Sequence, residues 1–227
     1  MGAASIIALI AALQTPSAGR LEGTARISSR LTADRLRVRV YSEPGDPGPA
    51  AAPTSTNPFA NVVLYLEDAE ALRVSDPPAQ APVPVMRQRH ERFEPHLLPV
   101  MQGTTITFPN DDPIYHNVFS LSRARTFDLG RYPQGQSKSL RFGSTGVVQV
   151  FCHIHADMNG YILVLPNRYF VSPDSSGHFA IAGVPPGEYR LVAWHERIRP
   201  IVTVVHVDAG RTTMLDLFIP LAEPARQ

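Results

Sequence analysis

Cysteine is almost absent from this chain of 227 residues, which has only Cys152. One thiol excludes a disulfide framework, a four-cysteine zinc site and any chemistry that needs paired thiols. Charge is sparse: Asp, Glu, Lys and Arg make up 18% of the residues, against about 25% in an average soluble domain. It is also balanced, 21 basic against 20 acidic. That leaves neither the basic surface of a nucleic-acid binder nor an acidic tail. Lysine is reduced to Lys138; codon bias explains this, and no function follows from it. No helical periodicity is convincing. Beyond the N-terminus no apolar run approaches the roughly 18 residues of a membrane span, so none is expected in the mature chain.

Proline, by contrast, is plentiful. The chain has 22, about twice the usual share of roughly 5%. Spread along the whole chain, they disfavour a helical bundle and suit short strands joined by turns. The expected fold class is all-β, with enough chain for a real core. Residues 4–13 (ASIIALIAAL) form an uncharged apolar run of signal-peptide length, followed by Ser17, Ala18 and Gly19. The positively charged leading region of a signal is missing, and a buried strand or helix is the other reading. An exported chain with a signal over 1–19 is the expectation, and no cysteine is placed to carry a lipoprotein anchor.

Alternating apolar positions predict strands over 20–27 and 36–41, and NVVLYL (61–66) reads as a buried strand. A loop rich in Pro, Ala and Gly (43–58) and a second Pro-rich gap (76–84) separate these from a central block. In that block strands are expected near 85–89, 96–100, 103–108, 115–121, 139–142, 146–152 and 160–165. A third block carries turns at Asp174–Gly177 and Pro185–Gly187, and its five short strands suit a small sandwich. The expected organisation is a signal at 1–19, an N-terminal β segment at 20–75 (extra strands or a small sandwich), a central domain at 85–166 and a C-terminal sandwich at 167–222.

The lone cysteine lies in VVQVFCHIHADMNGYILV (147–164). Cys152, His155 and Met158 fall in one tight turn between two buried strands. A thiolate, an imidazole and a thioether at that spacing can converge on one soft metal. A further imidazole, His116, stands 36 residues upstream in DDPIYHNVFSL. Two His and one Cys with a weak axial Met are the ligand set of a blue-copper site. The plainer alternative is an inert buried Cys with Met158 as core filler. His153 adjoins the cysteine, but successive side chains of a strand point to opposite faces, which turns it away. His90 and His96 read as exposed strand-edge residues rather than an accessory metal site. Trp194-His195-Glu196 lacks a nucleophile or partner carboxylate at useful spacing and reads as structural.

With these motifs in view, the block at 85–166 resembles a cupredoxin, the small blue-copper Greek-key β-sandwich. The resemblance rests on FEPHLLPVMQGTTITFPNDDPIYHNVF (93–119), YPQGQSKSLRF (132–142) and FCHIHADMNGYILV (151–164). It is nearest to exported cupredoxin-like proteins often labelled methylamine-utilisation proteins, in which a prealbumin-type, carboxypeptidase-regulatory-like sandwich flanks the copper module. The resemblance implies one type 1 copper ion held by His116, Cys152, His155 and Met158. It also implies that Asn117 ties the two ligand loops together. Two features depart from the family: the short His155–Met158 spacing, and the carboxylate of Asp157 beside the proposed axial ligand.

The function implied is single-electron transfer between redox partners such as a cytochrome or dehydrogenase, in the periplasm or outside the cell. No enzymatic activity is expected, because four protein ligands leave no open position for substrate. Two alternatives keep the same ligands: a copper-binding or delivery protein without redox duty, and a non-catalytic accessory module of a larger complex. A Cys-His hydrolase is disfavoured because no third group is seen to orient the pair.

Overall fold

The structure is a computed structural model that describes residues 17–28, 57–67, 72 and 82–220. The expected signal at 1–19 lies almost wholly outside these residues, and the strand expected at 36–41 lies entirely outside them. Among the described residues there is no α-helix, and no helix is long and apolar enough to cross a membrane. The fold is all-β, built as two packed sandwiches.

The first sandwich opens with the hairpin β3 (Arg87–Arg89) and β4 (Arg92–Glu94). Its main sheet contains β5 (Leu97–Met101), β7 (His116–Ser122), β8 (Arg125–Tyr132), β10 (Gly146–Phe151) and β11 (Asn159–Leu165), in the order β5-β11-β10-β7-β8. Facing it, β6 (Thr105–Pro109) pairs with β9 (Ser137–Arg141). Alternation sorts the side chains: on β11 Ile162 and Val164 turn inward, where they join Val148 and Val150 of β10 in one buried cluster. Cys152 and Met158 belong to the same cluster.

Strand β8 was not signalled by the sequence. It is an edge strand whose side chains are mostly exposed, and Gly130 interrupts it with φ +67°. An edge strand has little need of a continuous apolar face, so its pattern is weak.

The second sandwich draws on both ends of the described chain. One sheet has the order β13-β1-β16, from β1 (Gly19–Ile27), β13 (His178–Val184) and β16 (Thr212–Ile219). The other has the order β12-β2-β14-β15, from β2 (Val63–Leu66), β12 (Phe170–Val171), β14 (Gly187–Trp194) and β15 (Ile201–Val207). The N-terminal strands, set apart from the C-terminal block in the sequence, are thus hydrogen-bonded into it. The β1–β16 pair is parallel and needs Gly23, because a Cβ there would sit 1.6 Å from the carbonyl oxygen of Leu215.

The two sandwiches meet over the outer face of β5 and β11. Leu97, Leu163 and Leu165 pack there against Val63 and Trp194, with Tyr161 edge-on to Trp194. His96 adds a 3.0 Å contact to the Glu196 carboxylate. This interface leaves the opposite, inward face of the sheet to the first core, which holds Cys152.

Candidate metal centre

Three elements deliver the site. β10 runs inward at Val148 and Val150, and continuing that alternation places Cys152 in the core just past the strand end, 5% exposed. The turn that follows is closed by two backbone bonds: Cys152 N–H donates to Met158 O (3.1 Å) and Met158 N–H to His155 O (3.0 Å). His116 is the first residue of β7 and is fully buried.

These elements bring three donor atoms together. Sγ of Cys152 lies 3.8 Å from Nδ1 of His116 and 3.8 Å from Nδ1 of His155, and the two ring nitrogens are 3.0 Å apart. Among the described residues this is the one group of three His, Cys, Asp or Glu side chains so arranged. A common ion at metal–nitrogen and metal–sulfur distances of about 2.0–2.3 Å sets its donors about 3.3–3.8 Å apart. The two sulfur–nitrogen distances match; the imidazoles would separate by a few tenths of an ångström. A soft thiolate with two imidazoles suits a soft or borderline ion, so the residues present fit copper. Met158 is 1% exposed and packs in the same cluster as Cys152.

The electrostatics favour the anionic sulfur. Burial pushes the Cys152 thiol up, but His116 and the backbone N–H groups of Asn117, Ile154 and His155 outweigh it and bring the pKa down to about 6. His116 is raised. Burial opposes this, but the neighbouring Cys152 and Asp112 stabilise its cationic form. Asp112 is lowered against its own burial by the N–H groups of Glu91 and His90 and by His116.

Asp112 is the residue that sequence reasoning missed. Its Oδ2 lies 2.8 Å from Nε2 of His116. The carboxylate thereby favours a proton on Nε2 and leaves the Nδ1 lone pair for the cluster. The available signal was an acidic residue four positions before His116 in NDDPIYH. Its presence corrects the expectation that no third group orients the Cys-His pair: Cys152, His116 and Asp112 stand in that order.

Asn117 ties the two loops. Its Oδ1 accepts the His153 N–H at 2.7 Å, and its Nδ2 donates to Asp128 at 3.2 Å. His153 itself faces away, stacked on Phe119 with ring centroids 3.7 Å apart and Nε2 3.5 Å from Asp128. His90 sits in the β3–β4 turn and His96 on the interface, neither with the cluster. His195 is buried and accepts the Arg197 N–H, a structural arrangement.

Comparison with known proteins gives a divided picture. A family model described as polysaccharide lyase family 4, domain II, matches residues 167–215, inside the second sandwich. No curated protein matches the chain. Among solved structures it is similar to a methionine-to-alanine variant of amicyanin in the Cu(I) form: 23% identity over 38% of this chain and 87% of that one, with a TM-score of 0.35. A purple cupredoxin from Nitrosopumilus maritimus gives 27% identity, 33% and 82% coverage, and 0.30. A Cu-containing nitrite reductase from Thermus scotoductus SA-01 gives 23%, 42% and 25%, and 0.36.

Proposed function

We propose that the protein is a type 1 copper protein that carries single electrons between periplasmic redox partners and catalyses no reaction of its own. The observation that carries this reading is the convergence of Sγ of Cys152 with Nδ1 of His116 and of His155 beside a buried core. His116, Cys152 and His155 would hold one copper ion, and Met158, buried in the same cluster as Cys152, would offer its thioether as a fourth donor. Copper in such a soft, mixed donor set supplies a reversible Cu(I)/Cu(II) couple.

The chain's own contributions follow from its geometry. Asp112 orients the His116 ring, and Asn117 fixes the spacing of the two loops. Backbone N–H groups of Asn117, Ile154 and His155 stabilise negative charge on sulfur. Burial of Cys152 and His116 keeps water and oxidants from the thiolate. The exit lies at His155, partly exposed on the turn next to the exposed Ile154, and the residues just before the second imidazole, Ile114 and Tyr115, are exposed apolar side chains as well. Such a patch suits brief encounters over a small interface with a partner such as a cytochrome or dehydrogenase.

Hydrolysis by the Cys152-His116-Asp112 series is disfavoured, because a 5% exposed sulfur and a fully buried base give a substrate carbonyl no approach. The partial exposure of His155 favours one other use, reversible copper delivery. Voltammetry with stopped-flow mixing separates the two. A carrier cycles reversibly and exchanges electrons with a c-type cytochrome while retaining its metal. Loss of copper on each reduction supports delivery and removes the carrier reading.

A further inference from the structure

The carboxylate of Asp112 has more partners than His116. Its Oδ1 accepts the backbone N–H of His90 at 2.6 Å, and its Oδ2 accepts that of Glu91 at 2.9 Å as well as facing Nε2 of His116. His90 and Glu91 are the two central residues of the β3–β4 turn, and both have left-handed backbones, φ 54° and 56°. A two-residue hairpin turn of this kind ordinarily uses Asn-Gly or Asp-Gly, because side chains disfavour φ above zero. Here two ordinary residues adopt it, and in that conformation both N–H groups point at one carboxylate. Strained backbone that persists where it makes a particular contact points to a use for that contact.

The loop carrying Asp112 is anchored independently. Asn110 is fully buried; its Oδ1 accepts the Asp112 N–H at 3.0 Å, and its Nδ2 donates to the carbonyls of Ile114 (2.8 Å) and Tyr132 (3.0 Å). Asp111 N–H donates to Gln88 O of the hairpin at 2.9 Å. The carboxylate is therefore fixed from its own loop and saturated from the hairpin.

We infer that the β3–β4 hairpin is a positioning clamp for the metal centre: through Asp112, the backbone N–H groups of His90 and Glu91 lock the His116 ring with Nδ1 aimed at Cys152. Asp112 and the turn are positioning elements that act through the His116 ring. The inference rests on the copper reading for its consequence, since the clamp would set metal retention. The ring orientation itself does not depend on that reading. Carboxylates that orient metal-bound imidazoles typically change metal affinity 10–100-fold when removed.

The test uses the full chain with Asp112→Ala, Asp112→Asn and, as a control in the same region, Arg87→Ala, which cuts the exposed Arg87–Asp111 ion pair. The first readout is nitrogen NMR of the His116 ring in metal-free protein in alkaline buffer. The clamp predicts a protonated Nε2 and bare Nδ1 in the parent and in Arg87→Ala, and a mixture of tautomers in Asp112→Ala. The second is the copper dissociation constant by competition with a chelator. It should rise 10–100-fold in Asp112→Ala, rise less in Asp112→Asn, whose carbonyl still accepts from Nε2, and stay within twofold in Arg87→Ala. An unchanged tautomer in Asp112→Ala, or a changed tautomer with copper affinity within twofold, overturns the clamp. If the parent takes up no copper, the metal reading fails and the tautomer result alone decides whether the clamp exists.

Discussion

At the scale of single residues, the site combines a thiol whose pKa is brought down to about 6 with a buried imidazole held by a carboxylate. Met158→Leu conserves volume in a packed cluster and should cost less than about 1.5 kcal/mol. With the three in-plane donors intact, it should keep the copper charge-transfer colour and raise the reduction potential. Loss of the colour would make Met158 an essential ligand instead of a weak axial one. Away from the site, burial lowers the His195 pKa below 6.5. The unfolded chain then binds a proton that the native one refuses, so His195 makes stability rise with pH up to about 6.5 and fall below it. His195→Phe should flatten the thermal-unfolding profile below pH 6.5 relative to the parent; an unchanged slope would mean that His195 does not contribute. The three soft donors and Met158 could be found in the sequence because each belongs to a residue type with few ordinary uses at that spacing. Asp112 left only a weak mark, an acidic residue four positions before His116, because its other partners His90 and Glu91 lie 22 and 21 residues away and meet it only after folding.

At the scale of elements, the strands that could be read from sequence are the buried ones, whose alternation is enforced by a core. β10 and β11 are of this kind, and the turn between them follows directly. β8, at a sheet edge, and the three-residue β4 carry no such pattern. The parallel pairing of β1 with β16 joins residues about 190 apart in the chain, and nothing local encodes it. It does leave one mark, Gly23. Gly23→Ala puts a methyl group against the Leu215 carbonyl and should destabilise by about 1–3 kcal/mol. Chemical denaturation measures this as a lowered midpoint, while the copper spectrum stays as in the parent. A neutral effect would show that β1 and β16 are not in such close register.

At the scale of the whole molecule, the second sandwich covers the outer face of the sheet whose inner face packs against the metal site. The chain's single tryptophan, Trp194, lies on that interface, 7% exposed, so its fluorescence reports docking. Leu163→Ala should cost about 2–5 kcal/mol and shift the Trp194 emission to the red as water enters. An unshifted emission would mean that the two sandwiches do not pack through Leu163. The central claim, however, is the chemistry of the three converging donors. The most direct measurement is the visible absorption and EPR spectrum of the copper-loaded protein beside Cys152→Ser. The account predicts one copper per chain, an intense thiolate-to-copper charge-transfer band and a narrow copper hyperfine splitting, all lost in Cys152→Ser. A weak band with wide splitting, or an intense band that survives the loss of the sulfur, would contradict it.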